Sequence, residues 1–182
     1  RFEAKDIVYL AIISSIMLVT SSVMPIVAHV PIFGIIQIVL GLQFSLFPAM
    51  GISKIRKPGS LIFMALFSGV VLVFMNPIMF FCLLLCAFIA ELISLLIFRG
   101  YHKNASCFLA SWLYLPLTLP FLYLWYQIIG ADNSVASYAN GNPILAIIMS
   151  YCVIVLCALG SFLGMKISLE LEHKSRKKHD SK

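Results

Sequence analysis

The chain has 182 residues, 62% of them hydrophobic and only 11% charged, with a mean hydropathy of +1.03 and a formal net charge of +6. Soluble domains carry about 25% charged residues, so this composition excludes a water-covered globular protein and makes lipid the solvent. The positive charge does not point to nucleic acid, because the cations sit in short turns and a tail between apolar runs.

The apolar runs predict an all-α integral membrane protein: a single membrane domain over 1–182 with six transmembrane helices in a compact bundle. The spans are expected at about 6–28, 32–53, 58–75, 77–98, 105–129 and 143–169, with 170–182 a basic tail. Segment 1 follows Lys5 and carries Ala11 and Ser15 at spacing four. It is long enough to span and has no small-residue cleavage pattern, so it reads as a span and not as a cleavable signal peptide. Segment 2 holds Gln37 and Gln43, with Gly41, Ser45 and Ala49 at spacing four. Segment 3 runs from Pro58 to Met75.

Segment 4 is the clearest span. Asn76 suits a helix cap and Pro77 the first helical position, where its missing N–H costs nothing. The run to Phe98 rises roughly 33 Å at ~1.5 Å per residue, enough for a ~30 Å hydrocarbon core. It ends in the basic turn Arg99-Gly100-Tyr101-His102-Lys103-Asn104. Segment 5 contains Pro116 and Pro120, which free the carbonyls of Trp112 and Pro116 and predict a broken helix. Irregular helix at membrane depth is tolerated where it is buried or lines a cavity. Segment 6 follows Asn142 and carries Gly160 and Gly164.

All 13 Lys and Arg lie before segment 1, between segments 2 and 3, between 4 and 5, or at the end of segment 6 and beyond. The other connections hold none, so the charge bias predicts both termini in the cytoplasm. The opposite connections are Ala28 to Pro31, the turn at Asn76, and the longer polar stretch from Gly130 to Asn142. That last loop either covers an outward pocket or is a solvated connection.

Candidate binding residues gather toward the outer half: His29, Gln37, Asn76, Trp112, Tyr123, Trp125, Tyr126, Gln127, Tyr138 and Asn140. They suit a mostly uncharged, aromatic or amphiphilic ligand. Trp125 and Tyr126 also fit an aromatic interfacial belt with no ligand at all. His29 reads as a solvated loop residue or as a ligand to a metal centre such as haem iron. Glu91 is the only acid deep within a span. A carboxylate there is costly, so it is either a structural anchor bonded to a cation or neighbouring helix, or a proton-coupling site. The small residues at spacing four read as packing within the bundle, with Ala11 and Ser15 the best surface for docking another membrane subunit.

No P-loop, G-x-G-x-x-G, H-E-x-x-H or G-x-S-x-G motif is present. The five cysteines, Cys82, Cys86, Cys107, Cys152 and Cys157, read as small apolar fillers, with Cys82 and Cys86 on one helix face as a second, soft-metal reading. No metal site is assigned.

Taken together, the layout resembles the S components of energy-coupling factor (ECF) ABC importers, small membrane subunits that capture vitamins, cofactors and related micronutrients. The run Ala87-Phe-Ile-Ala-Glu-Leu-Ile-Ser-Leu-Leu-Ile-Phe-Arg-Gly-Tyr-His-Lys-Asn104 resembles that family's small-acidic-apolar stretch ending in a basic, aromatic turn. Lys5-Asp6-Ile7 before an apolar helix, together with Trp112, is most similar to the MptD-like (Trep_Strep) branch. The resemblance implies a non-enzymatic binding subunit in a bacterial plasma membrane. Its partners would be a transmembrane coupling subunit and two cytoplasmic ATPases, which use the ATP. It needs no cofactor of its own, and haem or a corrinoid would enter only as transported substrate. The family's small-x-x-x-small contact motif maps to Ala11 and Ser15, where Ser replaces the usual second Ala. The competing reading is a stand-alone secondary transporter, proton-coupled through Glu91. A membrane enzyme ranks third, since no span clusters His, Asp or Glu.

Overall fold

The computed structural model describes residues 2–21, 35–75, 77–129 and 143–180. Among these the chain is all-helical, without strands. The helices are α1 (Ala4–Thr20), α2 (Ile35–Gly41), α3 (Gln43–Ile55), α4 (Ser60–Met75), α5 (Pro77–Phe98), α6 (Asn104–Tyr114), α7 (Thr118–Ile129) and α8 (Pro143–Asp180). Among the described residues three stretches are long and apolar enough to cross a membrane: Gln37–Ile55, Phe80–Phe98 and Ile147–Lys174. The first joins α2 and α3 through Leu42. The apolar part of α4, Ser60–Val71, is shorter. The segment expected at 105–129 is two helices, because the chain breaks between Tyr114 and Thr118 at Pro116. The basic tail expected from 170 is instead a continuation of α8 to Asp180, since no Gly or Pro interrupts it after Gly164.

α3 lies at the centre, in contact with α1, α4, α6 and α8, while α5 bridges α4 and α6. The most extensive of these contacts is between α3 and α8. Small residues make that closeness possible. A Cβ on Gly160 would collide with the Leu42 carbonyl oxygen, and one on Gly164 with the Leu46 carbonyl oxygen and the Ala49 side chain. The spacing-four residues of segments 2 and 6 therefore pack on each other inside the bundle. Serines add polar joints between helices. Ser94 Oγ bonds the Ser106 carbonyl at 2.8 Å, and Ser111 Oγ bonds Ser161 Oγ at 3.1 Å. The apolar core around them includes Leu40, Phe44, Ile52, Ala87, Tyr114 and Val153.

The turns 56–59 and 99–103 and the start of α1 meet at one end of the bundle. Arg56 and Arg99 each end a helix in the left-handed region, with φ of 49° and 55°. Their N–H groups bond Ile52 O at 2.8 Å and Leu95 O at 2.7 Å, which closes α3 and α5. Arg56 then reaches across to the second turn, donating to Asn104 Oδ1 at 2.9 Å and to the His102 carbonyl at 3.4 Å. Lys57 pairs with Asp6 of α1, and Lys54 lies 4.4 Å above the Tyr9 ring.

Candidate functional site

The proline break sets the first candidate site. Pro116 and Pro120 lack the N–H groups that would continue α6 into α7, so the backbone there keeps one α-type bond, Leu117 N–H to Leu113 O at 3.1 Å, and then turns to shorter-range ones. Thr118 N–H donates to Leu115 O at 2.9 Å and Leu119 N–H to Pro116 O at 3.2 Å. Before the break α6 packs on α8; beyond it α7 packs on α5. A groove of about 580 Å³ opens between α7 and α8, lined by Pro116, Leu119, Pro120, Tyr123, Ile147, Ser150, Tyr151 and Ile154. Its walls are mainly apolar, and it lies toward the end away from the basic turns. Trp112 is outside the lining but is tied to one lining residue: its indole Nε1 donates to the Ile154 carbonyl of α8 at 3.0 Å. The indole also stacks on Phe108, with ring centroids 6.0 Å apart.

Of the residues singled out in the sequence, Tyr123 lines this groove, and Trp112 touches it only through its bond to the Ile154 carbonyl. Trp125, Tyr126 and Gln127 sit further along α7. Gln37 is buried on α2, away from the groove lining. Gln43, the first residue of α3, donates to Ser21 Oγ at 3.3 Å. His29, Asn76, Tyr138 and Asn140 lie outside the described residues, as does the loop 130–142. Tyr151 and Ser150 carried no sequence signal, because a lone hydroxyl residue in an apolar run resembles ordinary helix filling.

The second candidate is Glu91, 2% exposed inside the bundle. Its carboxylate accepts the backbone N–H of Gly59 on one oxygen and that of Ile62 on the other, the latter at 3.3 Å. These N–H groups belong to the first turn of α4, which has no partners of its own for them. Glu91 thus caps a neighbouring helix from the middle of α5, where the positive end of the α4 dipole favours an anion. Gly59, at φ 96°, lets the chain bend into this cradle. The Tyr101 phenol is buried close enough to feel the carboxylate's charge, but its oxygen makes no aligned hydrogen bond. Burial first, and the Glu91 charge second, push the Tyr101 phenol well above the ordinary tyrosine range. These bonds tie the interior of α5 to the first turn of α4. The donors to Glu91 are backbone groups rather than a cation.

Ala11 is half-buried on α1 and Ser15 is exposed, with its Oγ turned back to the Ala11 carbonyl at 2.8 Å. Val8, Ile12, Ile16 and Val19 are exposed on the same helix, so among the described residues this face of α1 is uncovered. Among the described residues no three or more His, Cys, Asp or Glu side chains are grouped to hold a metal ion. Comparisons with known protein families, with functionally described proteins and with solved structures find no match for this chain.

Proposed function

We propose that the chain is the substrate-binding subunit of an ECF-type ABC importer, with six spans and both termini in the cytoplasm of a bacterium. It would capture a vitamin, cofactor or related micronutrient from outside. Docked to a transmembrane coupling subunit and two ATPases, it would deliver that ligand inward. The observation that carries this reading is the break at Pro116, which turns one expected span into two helices and opens a groove at the end away from the basic turns. Broken helices at membrane depth are a feature of ligand sites, because they free backbone groups and space that a straight helix would occupy. The uncovered α1 face with Ala11 and Ser15 supplies a surface for the coupling subunit. The chain's lack of a phosphate-binding loop agrees with ATP being used by partners.

The stand-alone, proton-coupled transporter draws its case from Glu91. Glu91 already has a structural task, since two backbone N–H groups of α4 depend on it. Isolation of the tagged protein from its native membrane in mild detergent, followed by mass spectrometry of what accompanies it, tests the proposal. Two ATPases and a coupling membrane subunit are the expected companions. Their absence under conditions that preserve an intact ECF complex would overturn it in favour of the solitary transporter.

A further inference from the structure

The cations of α1 and of the two basic turns divide into two sets, apart from Lys166 and Lys174, which are exposed on α8. Lys5 pairs with Glu3 at 2.8 Å, Lys57 with Asp6, and Lys54 with the Tyr9 ring, while Arg56 is bonded to the second turn. Arg99 and Lys103, both exposed, have no such partner among the described residues. Arg99 also holds a left-handed backbone, φ 55°, where Gly or Asn would be unstrained. The chain tolerates that strain at an exposed position and keeps a guanidinium there. The outer face of α5 leads directly to this pair. Phe81, Leu85, Phe88, Leu92 and Leu96 recur at helical spacing along it and are exposed by 66%, 45%, 51%, 45% and 72%.

We infer that Arg99 and Lys103 form a headgroup site for an acidic phospholipid whose acyl chain lies along the Phe88–Leu92–Leu96 face of α5. The argument is one of charge and depth together. Arg99 directly follows the last residue of α5, whose stretch Phe80–Phe98 is long and apolar enough to span, and a span of that length would end at the depth where lipid phosphates begin. The planar guanidinium can take a phosphate through two N–H groups, and Lys103 adds a second charge. The exposed leucines below accept only apolar matter. A soluble anion would meet the cations alone, whereas an acidic lipid meets both halves. The pair of cations accounts for preference between headgroups, and the stripe accounts for retention of the lipid.

The test uses the full-length protein, delipidated in mild detergent and titrated with phosphatidylglycerol or with phosphatidylcholine of the same chains. Native mass spectrometry reads the bound lipid. Phosphatidylglycerol is expected to be retained roughly 30-fold more tightly, the preference that two surface cations provide. Arg99→Gly combined with Lys103→Gln should abolish the preference. Arg99→Gly relieves the left-handed backbone, so this variant is expected to fold at least as well as the parent. Lys54→Gln, which removes a cation already held by Tyr9, should retain it. Equal retention of the two lipids, or preference persisting in the double variant, would overturn the proposal. Glycerol phosphate in the same assay separates a lipid from a soluble phosphate: displacement of phosphatidylglycerol at equal concentration would also overturn it.

Discussion

Glu91 of α5 accepts the backbone N–H of Gly59, and through this bond the interior of one helix finishes the first turn of another. The arrangement resolves two costs at once. A carboxylate inside an apolar bundle must be bonded, and the first N–H groups of a helix must find acceptors. Glu91 meets both with its two oxygens, on Gly59 and Ile62.

Replacing Glu91 by Ala leaves two part-buried N–H groups without these acceptors. The expected loss is about 2–4 kcal/mol, read as a lower thermal unfolding midpoint in detergent. Glu91→Gln keeps one acceptor oxygen but brings a donor toward Ile62, so about half of that loss is expected. Transport by the Gln variant should fall only as far as its folded fraction falls. Abolished uptake in a fully folded Gln variant would instead show that Glu91 carries protons.

Gly164→Ala is expected to destabilise by about 1–3 kcal/mol, because its Cβ would overlap the Leu46 carbonyl oxygen and the Ala49 side chain across the α3–α8 contact. Gly41→Ala is the matched control. A Cβ there meets Cys157 Sγ at 3.5 Å and Leu156 Cβ at 3.7 Å, ordinary contact distances. The midpoint of that variant should hardly move. Equal effects at both positions would contradict the packing described for α8.

These two regions differ in how legible they were. Small residues at spacing four announce close helix approach, because a missing side chain is itself the signal, and Gly160 and Gly164 fulfil it against α3. The break in segment 5 was equally readable from Pro116 and Pro120, since each lacks an N–H. Glu91 was legible as a residue needing partners, but the partners were not. Every non-proline residue carries an N–H, so nothing in the sequence distinguishes Gly59 and Ile62 as its donors. The bridge from Arg56 to Asn104 was hidden for a similar reason, because the left-handed turn that aims Arg56 is occupied by Arg rather than by the Gly or Asn that would mark it. The lining residues Ser150 and Tyr151 depend on how far α7 departs from α8, a tertiary fact with no local code.

The groove itself can be closed. Pro116→Ala with Pro120→Ala restores two backbone N–H groups and allows α6 to run on into α7. The double variant should be as stable as the parent or more so, while its retention of co-purified or added ligand falls at least about tenfold, a loss of ~1.4 kcal/mol. Trp112→Phe keeps the ring but removes the bond to the Ile154 carbonyl. It should cost about 1 kcal/mol of stability and weaken ligand binding less than the proline variant does. Ligand retention assayed by mass spectrometry, with unfolding midpoints measured in parallel, separates the two effects.

Tyr101 gives the fold an alkaline limit. Its folded-state pKa is raised above the ordinary 10.0, chiefly by burial and then by the Glu91 charge. A raised pKa means that the neutral phenol is favoured by folding. Its contribution is therefore complete below about pH 10 and is lost as pH rises from there toward the folded-state value. Tyr101→Phe should leave stability near neutral pH almost unchanged, because the hydroxyl makes no aligned hydrogen bond. Above pH 10 the variant should lose stability less steeply than the parent. Parallel unfolding curves for the two proteins across pH 9–11 would show that the phenol is not the titrating group.

The last prediction concerns α1, where stability and function should come apart. Ser15 is exposed and Ala11 half-buried, and Val8, Ile12 and Ile16 beside them are exposed too. Ser15→Leu adds bulk to a face that no described residue covers, so the unfolding midpoint should shift within about 0.5 kcal/mol of the parent. If a coupling subunit approaches closely here, the same substitution pushes two helices apart, because small residues are what allow backbones to meet in lipid. The expected result is normal ligand retention by the isolated protein, with loss of co-purifying ATPases and of uptake. Ser15→Ala restores the small-x-x-x-small pattern with Ala11 and should preserve both. An unaltered complex with Ser15→Leu would place the docking surface elsewhere, and the exposed leucines of α8, Leu159 and Leu163, would be the next face to alter.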